Sequence, residues 1–302
     1  MNAEPVEPAS REQSRARYPD VEGFVERPGA RIFYEVYGAG EPTILFLPTW
    51  TIVHSRIWKL QIPDLARRHR VIVIDPRGNG RSDRPATVAA YAESEFTADA
   101  LAVLNATGTD RAVLVGLSMG AQRVLLLASD HAERVAGAIF IAPSLPLAKD
   151  LDRAAARREF LGPTPDDEGW NKYNARYWRR EYADFLEFFF AHCFSEAHST
   201  KPIEDAVSWG LETDPEALIR SSIRDGLTGR NDVLERCARV RCPVLVIHGT
   251  DDAIRPHADG EELARLTGGQ FLSIERGGHI PNVRDPVLVN LAMREFVRSL
   301  GG

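Results

Sequence analysis

Gly116-Leu117-Ser118-Met119-Gly120 is the stretch that decides how this chain reads. The run Ala112-Val113-Leu114-Val115 before it is short, apolar and β-branched enough for a buried strand. The run from Ala121 through Val124, Leu125, Leu126 and Leu127 to Ala128 after it favours a helix. Ser118 then sits at a sharp turn between strand and helix, the setting of a G-x-S-x-G elbow. Side chains at 116 and 120 would crowd so tight a turn, and the turn can strain the serine's own backbone. It lifts the hydroxyl out of the sheet. It also sets the Met119 N–H and the positive end of the helix beside any oxyanion formed there. Five residues with three fixed also arise by chance in a glycine-rich turn of any α/β protein, so the rest of the chain must decide.

Outward from the elbow, strands and helices alternate. Glu22–Arg27 and Arg31–Tyr37, split by Pro28-Gly29, read as a hairpin. Thr43–Leu47 and Arg70–Ile74 read as buried strands, with a helical spacing over Ile57–Arg67 between them that Pro63 kinks or bounds. Phe96–Ala106 reads as a helix and Val135–Ile141 as a strand. After a long interruption the rhythm returns, with strands at Pro243–Ile247 and Phe271–Ile274 and helices at Glu261–Leu266 and Leu288–Leu300. This alternation predicts a mostly parallel central sheet with helices on both faces. Chemistry in such sheets gathers at the carboxyl ends of the strands, where the Pro48 loop, the Asp75 loop and Ser118 all fall.

The interruption, 144–232, is charged and aromatic. Positions 182, 185, 186 and 189 share one helical face. We read this segment as a helical cap over a core made of 19–143 and 233–302, with 1–18 expected to be a mobile N-terminal tail. Most of the cap's aromatics should pack it onto the core, and a few on its underside should line a pocket.

Composition narrows the classes. The 302 residues carry a net charge of −6 and are 44% hydrophobic, with no Lys/Arg-rich run, so nothing suggests nucleic acid as a partner. No stretch of 18 apolar residues suggests a membrane span, and the N-terminus lacks the apolar core of a signal peptide. Cys193, Cys237 and Cys242 are too few for a disulfide framework and lack zinc spacing, which fits a reducing, cytoplasmic setting. No cofactor or metal is implied. The Asp75–Ser82 loop matches no phosphate-binding pattern and should brace its neighbours.

A serine hydroxyl is a poor nucleophile at neutral pH. It needs a base, and the base needs a carboxylate to fix its tautomer. His279 follows the last strand in a Gly-Gly-His turn, and Asp252 follows the preceding strand in a Gly-x-x-Asp turn. The chain order Ser118, Asp252, His279 is the one expected of this architecture.

Four ordered motifs, GLSMG at 116–120, DPRGNGRSDRP at 75–85, HGTDDAIRP at 248–256 and GGHIPNVRDP at 277–286, make the chain resemble the α/β-hydrolase fold superfamily. The likeness is to its cap-bearing esterases, iminopeptidases and C–C hydrolases, and it covers about residues 22–300. It implies Ser118 as nucleophile, His279 as base and Asp252 as acid, with Asp251 the neighbour that could be mistaken for it. The chain departs from the family at the oxyanion loop. Where relatives usually carry His-Gly, it reads Pro48-Thr49 before Trp50. Proline has no N–H, so the donors should be the Met119 and Trp50 amides. Thr49, His54, Trp178 and Phe189 are the candidate pocket residues, and the remaining histidines, His248 among them, read as surface or packing residues.

The resemblance implies a cofactor-independent hydrolase of small apolar or aromatic carboxylic esters, working through an acyl-enzyme on a small-molecule substrate. C–C bond hydrolysis and amide or iminopeptide hydrolysis by the same three residues stay open, as does a non-catalytic receptor for small ligands. Assembly as a homodimer is also left open.

Overall fold

The computed structural model describes residues 17–147 and 152–301. The expected N-terminal tail falls almost wholly outside the described residues. An eight-stranded sheet forms the core: β1 (Val21–Arg27), β2 (Ala30–Tyr37), β3 (Thr43–Phe46), β4 (Val71–Ile74), β5 (Ala112–Leu117), β6 (Val135–Ile141), β7 (Val244–Gly249) and β8 (Gln270–Ile274). Their order across the sheet is β1-β2-β4-β3-β5-β6-β7-β8. The β1–β2 hairpin is antiparallel and meets β4 antiparallel, and every pair from β4 to β8 is parallel.

The inner strands are apolar throughout because both sheet faces are covered. In β3 and β5, Ile44, Phe46, Val113, Val115 and Leu117 join one core layer, which also holds the cap aromatics and helix Pro286–Ser299. Leu45, Ala112 and Leu114 join the other, with helices Glu93–Ala106, Gly120–Asp130 and His257–Thr267. The period of two along each strand thus sends alternate residues into two separate cores.

Most helices lie where the sequence places them. Ile57–Arg67 differs: it is a 3₁₀ turn, Ser55–Trp58, and a four-residue helix, Ile62–Leu65. Pro63 has no N–H to continue a helix and sits in the first turn of the second piece, where that loss is harmless. The segment between β6 and β7 is helical, with Arg153–Leu161, Ala175–Arg180, Tyr182–Cys193, Thr200–Gly210 and Pro215–Ser222. Helix Arg230–Arg239 packs on Gly120–Asp130, and Leu227 just before it already joins the core layer with those helices.

The elbow needs its glycines for space. A Cβ on Gly116 would lie 2.5 Å from the Gly120 carbonyl and 2.7 Å from Val124 Cγ2. Gly116→Ala should therefore force the strand and helix apart and cost about 1–3 kcal/mol, as overpacking does. Urea unfolding should show a lower midpoint, and an unchanged one would mean the turn has slack.

Candidate active site

Ser118 follows β5 with φ of 52°, a left-handed conformation uncommon for a residue with a Cβ. Neighbouring groups hold it there. Its N–H donates to the Ile141 carbonyl at 2.9 Å, and its carbonyl accepts from the Ala121 and Ser144 amides at 3.1 and 3.0 Å.

The loops after β7 and β8 bring two more side chains to the same rim. They touch at Gly249, where a Cβ would meet the Gly277 carbonyl oxygen at 2.1 Å. His279 Nε2 lies 2.9 Å from Ser118 Oγ, and Nδ1 lies 2.7 Å from Asp252 Oδ2. A carboxylate only accepts, so Nδ1 carries the ring proton and Nε2 offers its lone pair to the serine hydroxyl. The cap helps to hold this turn. The Gly278 amide donates to Glu196 Oε1 at 2.7 Å and the His279 amide to the Cys193 carbonyl at 3.1 Å.

Asp252 is the best-supplied acceptor in the site. Oδ1 accepts from the Ile254 and Arg255 amides at 2.7 and 2.9 Å, and Oδ2 accepts from His279 and from His248 Nε2 at 2.9 Å. Burial alone would raise this carboxyl. The His279 imidazole and the hydrogen bonds from His248, His279 and the Arg255 amide outweigh it and hold the group well below the usual carboxylate range. Asp251 is exposed, with Oδ1 accepting from the Thr250 hydroxyl, and makes no contact with His279. The reading of His248 as a bystander misses a role: it is fully buried on the carboxylate of Asp252. The signal was its position four residues ahead, at the end of the same strand.

The amides of Trp50 and Met119 donate to no group among the described residues. Both residues line a cavity with Ser118. The Pro48 loop lies directly on the elbow, since a Cβ on Gly120 would sit 2.9 Å from the Pro48 carbonyl oxygen. The cavity encloses about 480 Å³, and most of its wall is apolar: Trp50, Phe160, Trp170, Tyr173, Phe189 and Ile254, with Ser144, Glu159 and Arg255 as polar points. A groove of about 560 Å³ between helices Glu93–Ala106 and Gly120–Asp130 is larger but reaches none of Ser118, Asp252 or His279.

Of the four candidate pocket residues, Phe189 lines this cavity and three do not. Thr49 is buried, and its carbonyl is engaged by Arg123. His54 is buried with Nε2 3.1 Å from Glu212 Oε1, and its Nδ1 accepts from the Arg56 amide at the start of the 3₁₀ turn. Trp178 forms a layer behind the wall, 4.8 Å from the Phe160 ring and 5.8 Å from that of Trp50, with Nε1 donating to the Lys172 carbonyl. The cap's helix–loop path decides which aromatic faces the cavity, and helical spacing alone does not reveal that path. The Asp75–Ser82 loop does brace its neighbours: Asp75 accepts from the Ser55 amide, and Arg77 makes two 2.7 Å bonds to Asp99. Among the described residues no cluster of His, Cys, Asp and Glu could hold a metal ion, and no helix is long and apolar enough to cross a membrane.

The model of the family described as the alpha/beta hydrolase fold matches residues 42–286, and the chain belongs to that family. It is a hydrolase of this fold. Among curated proteins it is 28% identical to "Putative carbamate hydrolase RutD" of Variovorax paradoxus, over 88% of this chain and 96% of the relative. Among solved structures it is similar to a thermophilic esterase from Thermogutta terrifontis, with 27% identity, a TM-score of 0.75 and coverage of 92% and 97% of the two chains. It is also similar to Est816, described as an N-acyl homoserine lactone degrading enzyme, with 26% identity, a TM-score of 0.72 and coverage of 91% and 100%.

Proposed function

We propose that this protein is a serine hydrolase of small carboxylic esters with an apolar or aromatic acyl group. The observation that carries the reading is the unbroken relay from Ser118 through His279 to Asp252, with links of 2.9 and 2.7 Å, opening on a cavity with an apolar wall. Ser118 Oγ attacks the ester carbonyl carbon and passes its proton to His279 Nε2. The imidazolium is stabilised by Asp252, while the carbonyl oxygen, now negative, takes hydrogen bonds from the Trp50 and Met119 amides. When the C–O bond breaks, His279 gives the proton to the leaving alcohol. A water then enters, loses a proton to His279 and attacks the acyl carbon; the bond to Ser118 Oγ breaks, His279 returns the proton to Oγ and the acid leaves.

Two of the relatives named above are described as a carbamate hydrolase and an esterase, reactions that break an acyl bond at a carbonyl carbon, and the third as an enzyme that degrades N-acyl homoserine lactones. The cavity's size falls within the range of small-ligand sites, about 300–1,000 Å³. Its aromatic wall favours acetyl to butyryl or benzoyl groups over long chains.

A fluorophosphonate probe together with p-nitrophenyl esters of rising acyl length tests the reading. We expect one label per chain, on Ser118, and a kcat/KM that peaks at short acyl chains. A protein that binds such esters yet is neither labelled nor turns them over would be a ligand receptor, and the proposal would fail.

A further inference from the structure

The loop Pro48-Thr49-Trp50 carries no glycine where the resemblance implies His-Gly, yet a buried side chain grips it from behind. Arg123, on the elbow helix Gly120–Asp130, donates from Nη1 to the Pro48 and Thr49 carbonyls at 2.6 and 2.5 Å. Its Nε donates to Glu93 Oε2 at 3.0 Å, and its guanidinium lies 3.6 Å from the centre of the Phe96 ring. With a side chain only 1% exposed, the group is fixed on every side. Burial pushes it down to about 10, with Glu93 opposing that shift, so it keeps its charge at neutral pH.

The Thr49 carbonyl and the Trp50 N–H belong to one trans peptide, and in such a plane the two point in opposite directions. Holding the carbonyl towards Arg123 turns the Trp50 N–H away from it. Glu93 carries the grip into the cap. Arg224, just past helix Pro215–Ser222, donates from Nε to Glu93 Oε1 at 2.7 Å, and its Nη2 lies 3.7 Å from Met119 Sδ. The Glu93 amide also donates to the Asp225 carbonyl at 3.0 Å. One buried network therefore reaches the residues of both candidate oxyanion donors.

We infer that Arg123 is a positioning residue: by clamping the Pro48 and Thr49 carbonyls, and braced by Glu93 and the cap's Arg224, it aims the Trp50 amide at the oxyanion. The inference rests on the esterase reading above. It also explains how a Pro-Thr loop can serve where a glycine is usual, because a side chain supplies the orientation that backbone freedom supplies elsewhere.

The test is Arg123→Met in the full chain, with kcat and KM measured on p-nitrophenyl butyrate. Rates are expressed per active site titrated with fluorophosphonate. A trifluoromethyl ketone, which forms a hemiketal oxyanion on the serine, reports the hole directly. We expect kcat to fall about 100-fold, the scale of one lost oxyanion donor. KM should stay within threefold, and the ketone's Ki should rise in step with the loss in kcat/KM. A purely structural role would lower the titrated fraction and leave rate per site and Ki unchanged, which would overturn the inference. If Arg123→Met does not fold, Glu93→Gln, which loosens the brace, should cut kcat per site about tenfold with the same shift in Ki, and a native value would be equally fatal. A native protein that is neither labelled nor active would instead remove the esterase reading itself.

Discussion

Ser118→Ala should lower kcat on p-nitrophenyl esters by about a millionfold, the scale seen when a triad nucleophile is removed. The reason is geometric. His279 Nε2 has the Ser118 hydroxyl at 2.9 Å, and no other hydroxyl among the described residues bonds to it. Ser144 lines the same cavity, but it bonds there through its backbone, its amide donating to the Ser118 carbonyl and its carbonyl accepting from Gln122 Nε2. The variant should fold, since the bonds that hold position 118 are all made by backbone groups. Ligand binding should survive, because the cavity wall is intact. A variant keeping a hundredth or more of the native rate, after fluorophosphonate treatment has silenced any native contaminant, would show that the hydroxyl is not the nucleophile.

Asp252→Asn should cost about 10⁴ in kcat, while Asp251→Asn should leave the rate within twofold of native. An asparagine at 252 is neutral and faces two imidazole N–H donors and two amides that now converge on a carboxylate. If its amide nitrogen points at His279, the ring must take the other tautomer, and Nε2 then carries a proton and cannot accept one from Ser118. Asp251 is exposed and accepts from the Thr250 hydroxyl. The two variants measured side by side decide between neighbours that the motif alone leaves adjacent, and equal losses in both would refute the assignment. The same carboxyl sets a pH dependence. Its native titration lies below the ordinary value of 3.8, so as the pH falls the unfolded chain binds the proton first. The stabilisation from Asp252 is complete above that value and disappears as the pH drops through the native one. Urea midpoints of the native protein should therefore fall on acidification below about pH 4, and more steeply than those of Asp252→Asn.

Local chain geometry made much of this legible. Inner strands such as β3 and β5 are apolar runs because both their faces are covered, and Gly-x-Ser-x-Gly is a turn that few other residues can make. Ser118, Asp252 and His279 each stand directly after a strand, and the parallel sheet delivers strand ends to one rim. The pocket was less legible. Phe189 faces the cavity and Trp178 stands behind its wall, though both are aromatic residues on cap helices. The short elements of the cap meet at angles that spacing does not encode. Ile57–Arg67 had helical spacing, but Pro63 cannot continue a helix from Ile57 and stands in the first turn of a separate short helix, Ile62–Leu65.

By itself the sequence determined the fold, the elbow and the chain order of the three residues of the proposed relay, because each follows from contacts within a few residues of chain or from the period of a strand. Only the tertiary structure decided what surrounds them. His248 shares the carboxylate of Asp252, and Arg123 turns the peptide before Trp50 while Glu93 ties that grip to Arg224 of the cap. These are meetings between groups distant along the chain or on different elements. They are set by how the cap and the loops close over the sheet, and no short-range pattern in the residues records that closure.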